Sequence, residues 1–117
     1  MRNFVSSEFD SPDASGSGQL MDAEFLRLLD DARDVANIPF KINSGYRTLE
    51  HNMSEGGKID SSHLKGLAVD IDVRYSRNRF IILNALIAVG FNRIGIAKTF
   101  IHVDNDTSKD KNVYWVY

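Results

Sequence analysis

The sequence predicts an α+β protein in which helices pack against a small, largely antiparallel sheet. Two segments with helical hydrophobic spacing, after Asp22 and after Ser76, are separated by short segments in which apolar and polar residues alternate. The predicted order is helix, strand, strand, helix and further strands, which is typical of this fold class. Of the 117 residues, 43% are hydrophobic, so we expect one domain, residues 1–117, with its own core.

The first long helix is predicted to begin after Asp22 and to end at Asn37. Asp22 is a good N-cap, and Asn37 followed by Ile38-Pro39 is a stop signal. Apolar residues spaced three and four apart would form its buried stripe. That stripe comprises Phe25, Leu28, Leu29, Ala32 and Val35. Before the helix, the low-complexity stretch Ser11–Gly18 predicts a surface loop.

A short strand, a loop and a short helix are predicted next. Phe40–Asn43 alternates apolar and polar residues, as a half-buried strand does, and runs into the loop Ser44–Arg47. Thr48 is predicted to cap a short helix that ends at Met53. Loops at strand ends often carry functional residues, so Ser44–Arg47 is a candidate site segment.

The middle of the chain predicts a strand followed by the second long helix. Val69–Val73 alternates cleanly, so Asp70 and Asp72 would leave the same face of the strand. The helix is predicted over Arg77–Val89 with Ser76 as its N-cap. Its apolar residues are Phe80, Ile81, Leu83, Leu86 and Ile87.

The C-terminal part predicts strands around one solvated loop. The strands are expected at Arg93–Ile96, Phe100–Asp104 and Val113–Tyr117. The aspartates and lysines of Asn105–Lys111 are expected to face solvent. The aromatic residues Tyr114, Trp115 and Tyr117 would more readily complete a sheet than bind sugar rings.

Composition and charge argue against several classes of protein. The formal net charge is -2 and the pI is ≈ 5.9, whereas nucleic-acid binders normally carry a basic face. No apolar run reaches about 18 residues, so no membrane span is predicted. The N-terminus MRNFVSSEFDSPD lacks the regions of a signal peptide, so synthesis in the cytoplasm is expected. Because cysteine is absent, a metal site would need His, Asp and Glu.

Two histidines and one aspartate are candidate metal ligands. His63 lies in a predicted loop, Asp70 follows on a strand, and His102 shares one face of a later strand with Asp104. Two imidazoles and one carboxylate would fill three positions of tetrahedral Zn²⁺ and leave the fourth for water, as in catalytic zinc sites. The spacing alone also allows a hydrogen-bonded surface histidine and an acidic strand face in contact with water.

Several segments, in one order along the chain, resemble those of the zinc D-Ala-D-Ala peptidase family. The segment Ser61–Asp70 matches its SxHxxGxAxD signature. Further similar segments are Phe4–Phe9, Ser44–Thr48, Asn52 with Gly56-Gly57, and Phe100–Asp104. The family includes murein carboxypeptidases, D,D-dipeptidases and phage endolysins, and it shares its fold with the hedgehog signalling domain. The resemblance therefore implies a hedgehog/DD-peptidase-like fold.

The resemblance also implies roles for residues at matching positions. The residues that would bind one Zn²⁺ are His63, Asp70 and His102. Arg47 would face a substrate carboxylate or the developing oxyanion, the alternative being a surface salt bridge. Ser61 would form a hydrogen bond near the site, and Tyr46 would line the cleft or pack beneath it.

The general base departs from the family pattern. In the dipeptidase and endolysin branches a carboxylate stands three residues before the last histidine, where this chain has Thr99. Asp104, beside His102, and Asp72, beside Asp70, are candidate substitutes. The alternative role for Asp104 is to orient a ligand imidazole or an arginine.

The function implied by the resemblance is that of a zinc metallopeptidase. It would act on peptidoglycan stem peptides, as a D,D-carboxypeptidase or an endopeptidase. The oligomeric state does not follow from the sequence, and a monomer is expected. A chain made in the cytoplasm would be released to the cell wall by a phage or prophage lysis route. Two alternatives stay open: a zinc-containing domain of this fold that binds without cleaving, and a structural component of a phage particle.

Overall fold

The protein is described by a computed structural model that covers residues 1–117. The helices are α1 (Ala23–Ala36), α2 (Leu49–Ser54) and α3 (Ser76–Ala88). The strands are β1 (Ile42–Ser44), β2 (Ala68–Asp72), β3 (Arg93–Ile96), β4 (Phe100–Asp104) and β5 (Val113–Val116). Short 3₁₀ helices span Ser6–Phe9, Ser17–Leu20 and Ser62–Lys65. The predicted α+β class is confirmed, and none of the helices combines the length and apolar character needed to cross a bilayer.

All the strands form one sheet in the order β1-β2-β4-β3-β5. Neighbouring strands are antiparallel except β3 and β5, which are parallel, so the predicted largely antiparallel sheet is confirmed. β2 and β4 lie side by side, with Asp70 opposite His102 and Ala68 opposite Asp104. This register places two residues that are 32 positions apart in the chain at one point on the sheet.

The alternation along β2 and β4 separates the core from the polar face of the sheet. The strand residues that enter the core are Val69, Ile71, Ile101 and Val103. They pack with side chains of α1 and α3 in a cluster of 17 buried apolar residues. Asp70 and His102, at alternate positions, leave the opposite face. Burial of one face fixes the register, because a slip of one residue would carry the aspartates into the core.

Both long helices form where they are predicted, with two corrections. The carboxylate of Asp22 accepts a 2.9 Å backbone hydrogen bond from the first turn of α1, and Asn37 ends the helix with a φ of 55°. Val35, expected in the buried stripe, is 59% exposed. Ser76 is not the N-cap of α3; Tyr75 occupies that position and forms no side-chain cap hydrogen bond.

The predicted surface loop Ser11–Gly18 is partly buried and runs into a 3₁₀ helix. The Ser11 N–H donates a 2.8 Å hydrogen bond to the Ser17 hydroxyl, and the Asp10 carboxylate accepts one of 2.7 Å from the Gly18 N–H. These bonds fold the segment onto itself, so its composition alone was a poor guide to its exposure.

Candidate metal centre

Two strands and a short 3₁₀ helix bring the predicted metal ligands together. Asp70 and His102 are opposite each other on β2 and β4, and His63 lies in the last 3₁₀ helix, just before β2. That helix ends at Gly66, whose φ of +69° lies in the left-handed region. A Cβ at Gly66 would lie 2.5 Å from the carbonyl oxygen of Leu20. Glycine therefore allows the His63 segment to pack closely against the N-terminal segment.

The three side chains could hold one metal ion. One ligand atom from each of His63, Asp70 and His102 lies within 4.8 Å of the other two. His63 Nε2 is 3.4 Å and His102 Nδ1 is 2.9 Å from Asp70 Oδ1. Ligand atoms bonded to tetrahedral zinc at about 2.0–2.1 Å lie roughly 3.3 Å apart. The donor types and their separations therefore fit a three-residue zinc site with one open position.

The second nitrogen of each imidazole is occupied by a hydrogen bond. His63 Nδ1 lies 2.8 Å from the carbonyl oxygen of Gly45, which can only accept, so this nitrogen carries the proton. His102 Nε2 lies 2.7 Å from Asp104 Oδ2 and donates to that carboxylate. The nitrogens that remain to bind a metal are then His63 Nε2 and His102 Nδ1, which both face Asp70. Such hydrogen bonds orient metal-binding histidines.

Asp104 connects His102 to Arg93, a half-buried arginine. Asp104 is 1% exposed, and both of its carboxylate oxygens accept hydrogen bonds. Oδ2 accepts from His102, while Oδ1 accepts from Arg93 Nε at 2.7 Å and from the Asp106 N–H at 3.1 Å. The Arg93 guanidinium lies over the Trp115 ring, 5.2 Å from its centroid. These contacts leave Asp104 a fixed acceptor for the His102 ring.

Arg47 lies beside the three candidate ligands. Its Nη2 is 3.5 Å from Asp70 Oδ2. Its Nε donates to Ser44 Oγ at 2.9 Å, and its Nη1 donates to Asn52 Oδ1 at 3.3 Å. Asn52 is fully buried, and a Cβ at Gly57 would lie 2.2 Å from its side-chain oxygen. The Arg47 side chain, 18% exposed, is thus held in place by its neighbours and is not a simple surface ion pair.

In this centre hydrogen bonds shift the pKa values of Asp70 and His102 more than burial does. Burial alone would raise the pKa of Asp70, but hydrogen bonds from His102 and His63 hold that pKa well below its usual range. Burial alone would lower the pKa of His102, yet its hydrogen bonds to Asp104 and Asp70 raise it. Asp70 is therefore ionised at neutral pH, which is the form that binds metal.

The candidate ligands lie in the wall of a polar cleft of ≈ 480 Å³. The predicted site residues in its lining are Arg47, Ser61, His63, Asp70, His102 and Asp104. Ser61 Oγ accepts a 3.3 Å hydrogen bond from the His63 N–H and caps the 3₁₀ helix. Tyr46 instead packs against the core and is not part of the lining. Asp72 also lies outside the cleft, where it pairs with Arg74 at 2.8 Å.

The cleft also contains residues that no motif or spacing predicts, among them Arg93, Lys109, Trp115 and Tyr117. The expectation that Asn105–Lys111 is a solvated loop is wrong for Asp106, which is 2% exposed. Its carboxylate accepts hydrogen bonds from Ser62 Oγ at 2.7 Å and Lys65 Nζ at 2.9 Å. The one local signal was the Asp-x-Ser spacing of an Asx turn, here a 3.1 Å bond from the Ser108 N–H to Asp106.

A His-Asp-His cluster beside an arginine, in a cleft open to solvent, is the class of site that metal-dependent hydrolases use. The family model described as Peptidase M15 matches residues 3–104, most of the chain. The chain therefore belongs to the M15 peptidase family, as its motifs predict, and this membership makes it a metallopeptidase. No curated protein matches the sequence.

Proposed function

We propose that this chain is a zinc-dependent peptidase that hydrolyses a peptide bond in the stem peptides of bacterial peptidoglycan, as a D,D-carboxypeptidase or an endopeptidase. The observation that carries the proposal is the convergence of His63, Asp70 and His102 in the wall of a solvent-open cleft. Membership of the M15 family supports peptide hydrolysis. The resemblance to zinc D-Ala-D-Ala peptidases supports zinc as the metal and the cell wall as the substrate.

The chain's own side chains would hold the metal in a fixed orientation. The ligand atoms would be His63 Nε2, an Asp70 oxygen and His102 Nδ1. Zinc, when bound, lowers the pKa of a bound water to about 7 and polarises the scissile carbonyl. Gly45 and Asp104 would keep the two imidazole rings turned toward Asp70 through their hydrogen bonds of 2.8 and 2.7 Å.

Arg47 would stabilise negative charge on the substrate. Its guanidinium stays protonated and presents several donors in one plane, which suits a carboxylate or a carbonyl oxygen that gains charge. Ser44 and Asn52 fix Nε and Nη1, while Nη2 lies 3.5 Å from Asp70, the nearest carboxylate. A cation held in this way needs no rearrangement when charge develops, so it stabilises the transition state more than the ground state.

Asp104 would act chiefly by orienting His102. Its oxygens already accept hydrogen bonds from His102, Arg93 and the Asp106 N–H, which supports a positioning role. Its second predicted role, as the proton acceptor in place of a carboxylate at Thr99, stays a prediction. Asp104→Asn separates the two roles, because a zinc-loaded variant with wild-type turnover would remove Asp104 as the base.

The polar character of the cleft supports a small polar peptide as the substrate. Of the 16 residues that line it, three are hydrophobic, and four are the cations Arg47, Lys58, Arg93 and Lys109. Stem peptides are short and carry carboxyl and amide groups, so a cleft with such a polar lining suits them.

We also propose that the protein is a monomer and that it reaches the bacterial cell wall by a phage or prophage lysis route.

The decisive experiment combines metal analysis with digestion of isolated muropeptides. Protein purified without chelator should contain near-stoichiometric zinc and should release stem-peptide fragments that mass spectrometry detects. His102→Ala should lose both the zinc and the activity. The matched control is His51→Ala, because His51 lies on α2 outside the cleft lining, 3.7 Å from Glu55. A wild-type protein that stays metal-free after zinc is added would refute the proposal.

A second candidate function is zinc-dependent binding without cleavage. Thr99 replaces the usual carboxylate, and Asp104 already engages three hydrogen-bond donors, which favours this alternative. A zinc-loaded protein that binds muropeptides in calorimetry but leaves them intact would support binding over hydrolysis. A protein that copurifies with phage particles would instead support a structural role.

A further inference from the structure

A lysine outside the family-matched segment lies in the wall of the same cleft. Lys109 belongs to the loop between β4 and β5, beyond residues 3–104 that match the M15 family. It lines the cleft together with His63, Asp70 and His102. The side chain is 27% exposed, so it is neither buried in the core nor freely extended into solvent.

The Lys109 ammonium is held next to the segment that carries His63. Lys109 Nζ donates a 3.0 Å hydrogen bond to Ser62 Oγ, and Ser62 Oγ donates to Asp106 Oδ2 at 2.7 Å. The Lys109 N–H also donates to the Asp106 carbonyl oxygen at 3.2 Å, which closes the turn that presents the lysine. Backbone and side chain together therefore fix the position of the ammonium in the cleft wall.

The charge of Lys109 has one anionic partner, Asp106, which lies at the outer limit of ion-pair distance and is paired more closely with Lys65. The two cleft arginines face carboxylates, since Arg47 lies 3.5 Å from Asp70 and Arg93 lies 2.7 Å from Asp104. Asp106 is paired with Lys65 at 2.9 Å, whereas Lys109 Nζ is 3.9 Å from the same carboxylate. An ammonium has three N–H donors, and Ser62 takes one of those of Lys109. The remaining donors and the positive charge are available to a ligand.

We propose that Lys109 is the cation of a carboxylate-binding subsite, so that preferred substrates carry an acidic group near the cleaved bond. This inference rests on the proposed peptidase function and adds a substrate class to it. An ammonium held in a partly desolvated wall binds a carboxylate more strongly than one in open solvent. The second cleft lysine, Lys58, is exposed at the rim and would add to the attraction.

The carboxylate could come from an acidic side chain or from the C-terminus of the peptide, and two matched substrate pairs separate these sources. In the first pair the acidic side chain is a free carboxylate or its carboxamide. In the second pair the C-terminus is free or amidated. We expect the KM of zinc-loaded protein to be about tenfold lower for the carboxylate member of one pair, as a hydrogen bond between charged groups allows.

Lys109→Met should abolish that preference while the zinc content stays unchanged. Lys109→Arg should retain the preference, because it keeps the charge. The matched control is Lys111→Met, a residue that is exposed and does not line the cleft. Persistence of the full preference in Lys109→Met, or equal KM values for both members of each pair in the wild type, would overturn the inference.

Calorimetry with the same peptides keeps this test separate from the test of hydrolysis. If zinc-loaded protein cleaves no member of either pair, the proposed peptidase function fails, but the Kd values still report the preference. A Kd ratio near one between carboxylate and amide members refutes the subsite. A Kd ratio of about ten in the wild-type protein that disappears in Lys109→Met supports the subsite.

Discussion

Replacement of Arg93 by Met tests how the protein supports its candidate metal ligand His102. The Arg93 side chain is 12% exposed and donates to Asp104, whose other oxygen accepts from His102 Nε2. Methionine keeps much of the aliphatic length of arginine, so it can still contact Trp115. The substitution therefore removes the charged donor from Asp104, and with it the hydrogen bond from Arg93 Nη1 to the Asp110 carbonyl oxygen, while it keeps most of the packing.

The expected cost follows from burial of the pair. Asp104 would keep its hydrogen bonds to His102 and to the Asp106 N–H but would lose the 2.7 Å charge-assisted bond from Arg93. Such a bond contributes about 1.5–3 kcal/mol, so the free energy of unfolding of the metal-free protein should fall by about 2 kcal/mol. Loss of support for a metal-bound histidine typically costs roughly 10–100-fold in metal affinity, and we expect about tenfold here.

The assay is a double-mutant cycle of Arg93→Met and Asp104→Asn. The zinc affinity of each variant is measured by competition with a chelator of known affinity. If Arg93 acts through Asp104, then Arg93→Met should cost little more once Asp104→Asn is present. The double variant should then match Asp104→Asn within about twofold. Nitrogen-15 NMR of the His102 ring should show a changed tautomer balance in Arg93→Met. Arg74→Met, which alters an exposed pair with Asp72, should leave both readouts unchanged.

Additive losses of zinc affinity in the cycle, together with an unchanged His102 NMR signature in Arg93→Met, would refute this reasoning. That result would mean that Arg93 affects the site through general stability. A loss of stability without any loss of zinc affinity would contradict it equally, because the linkage through Asp104 to His102 predicts both.

Two further predictions concern stability and use urea unfolding. Gly66→Ala should lower the free energy of unfolding by about 2–4 kcal/mol, because its Cβ would lie 2.5 Å from the Leu20 carbonyl oxygen at a φ of +69°. Gly56→Ala, at +72° with no atom within 4 Å, should cost only about 1 kcal/mol. Burial would raise the pKa of Asp106, but hydrogen bonds from Ser108, Ser62 and Lys65 hold it below its unfolded value. The Asp106 carboxylate thus stabilises the fold above about pH 4, and this contribution is lost as the pH falls further. The difference in free energy of unfolding between wild type and Asp106→Asn should therefore become smaller below about pH 4.

The helices show how far periodicity determines a buried face. In α1 the buried apolar residues Phe25, Leu29 and Ala32 lie within about 60° of one another, whereas Val35 lies roughly 80° from Phe25 at the edge of the stripe. The sequence therefore predicted the residues at the centre of the buried face correctly, but it wrongly included Val35 at the edge of that face.

The second long helix gave a weaker signal. In α3 the run from Phe80 to Leu83 is apolar throughout, so it covers every side of one turn. The structure buries Ile82, with Ala85 and Leu86, and leaves Phe80 68% exposed. Phe80 lies roughly 160° around the helix from Ile82, on the opposite side. Only the position of the neighbouring helix and sheet decides which side is buried, and the sequence does not encode that locally.

The candidate metal centre was predictable because strand alternation and motif spacing both concern short distances along the chain. Alternation predicts that Asp70 leaves one face of its strand and that His102 and Asp104 share one face of theirs. It does not predict that Asp70 and His102 would be paired across β2 and β4. The proximity of Arg93 to Asp104 likewise depends on pairing between β3 and β4, and no local pattern in the sequence encodes it.

The cleft is built from two parts with different origins in the chain. The metal ligands and Arg47 lie within residues 3–104, whereas Lys109 comes from the last loop, Trp115 from β5 and Tyr117 from the residue after β5. β5 packs parallel to β3. Asp106 joins the parts, because it bonds Ser62 next to His63 and lies in the same turn as Lys109. Since the second part contains none of the candidate ligands, substitutions there should change which peptide binds without removing the metal. Loss of zinc in Lys109→Met would contradict this division of the cleft.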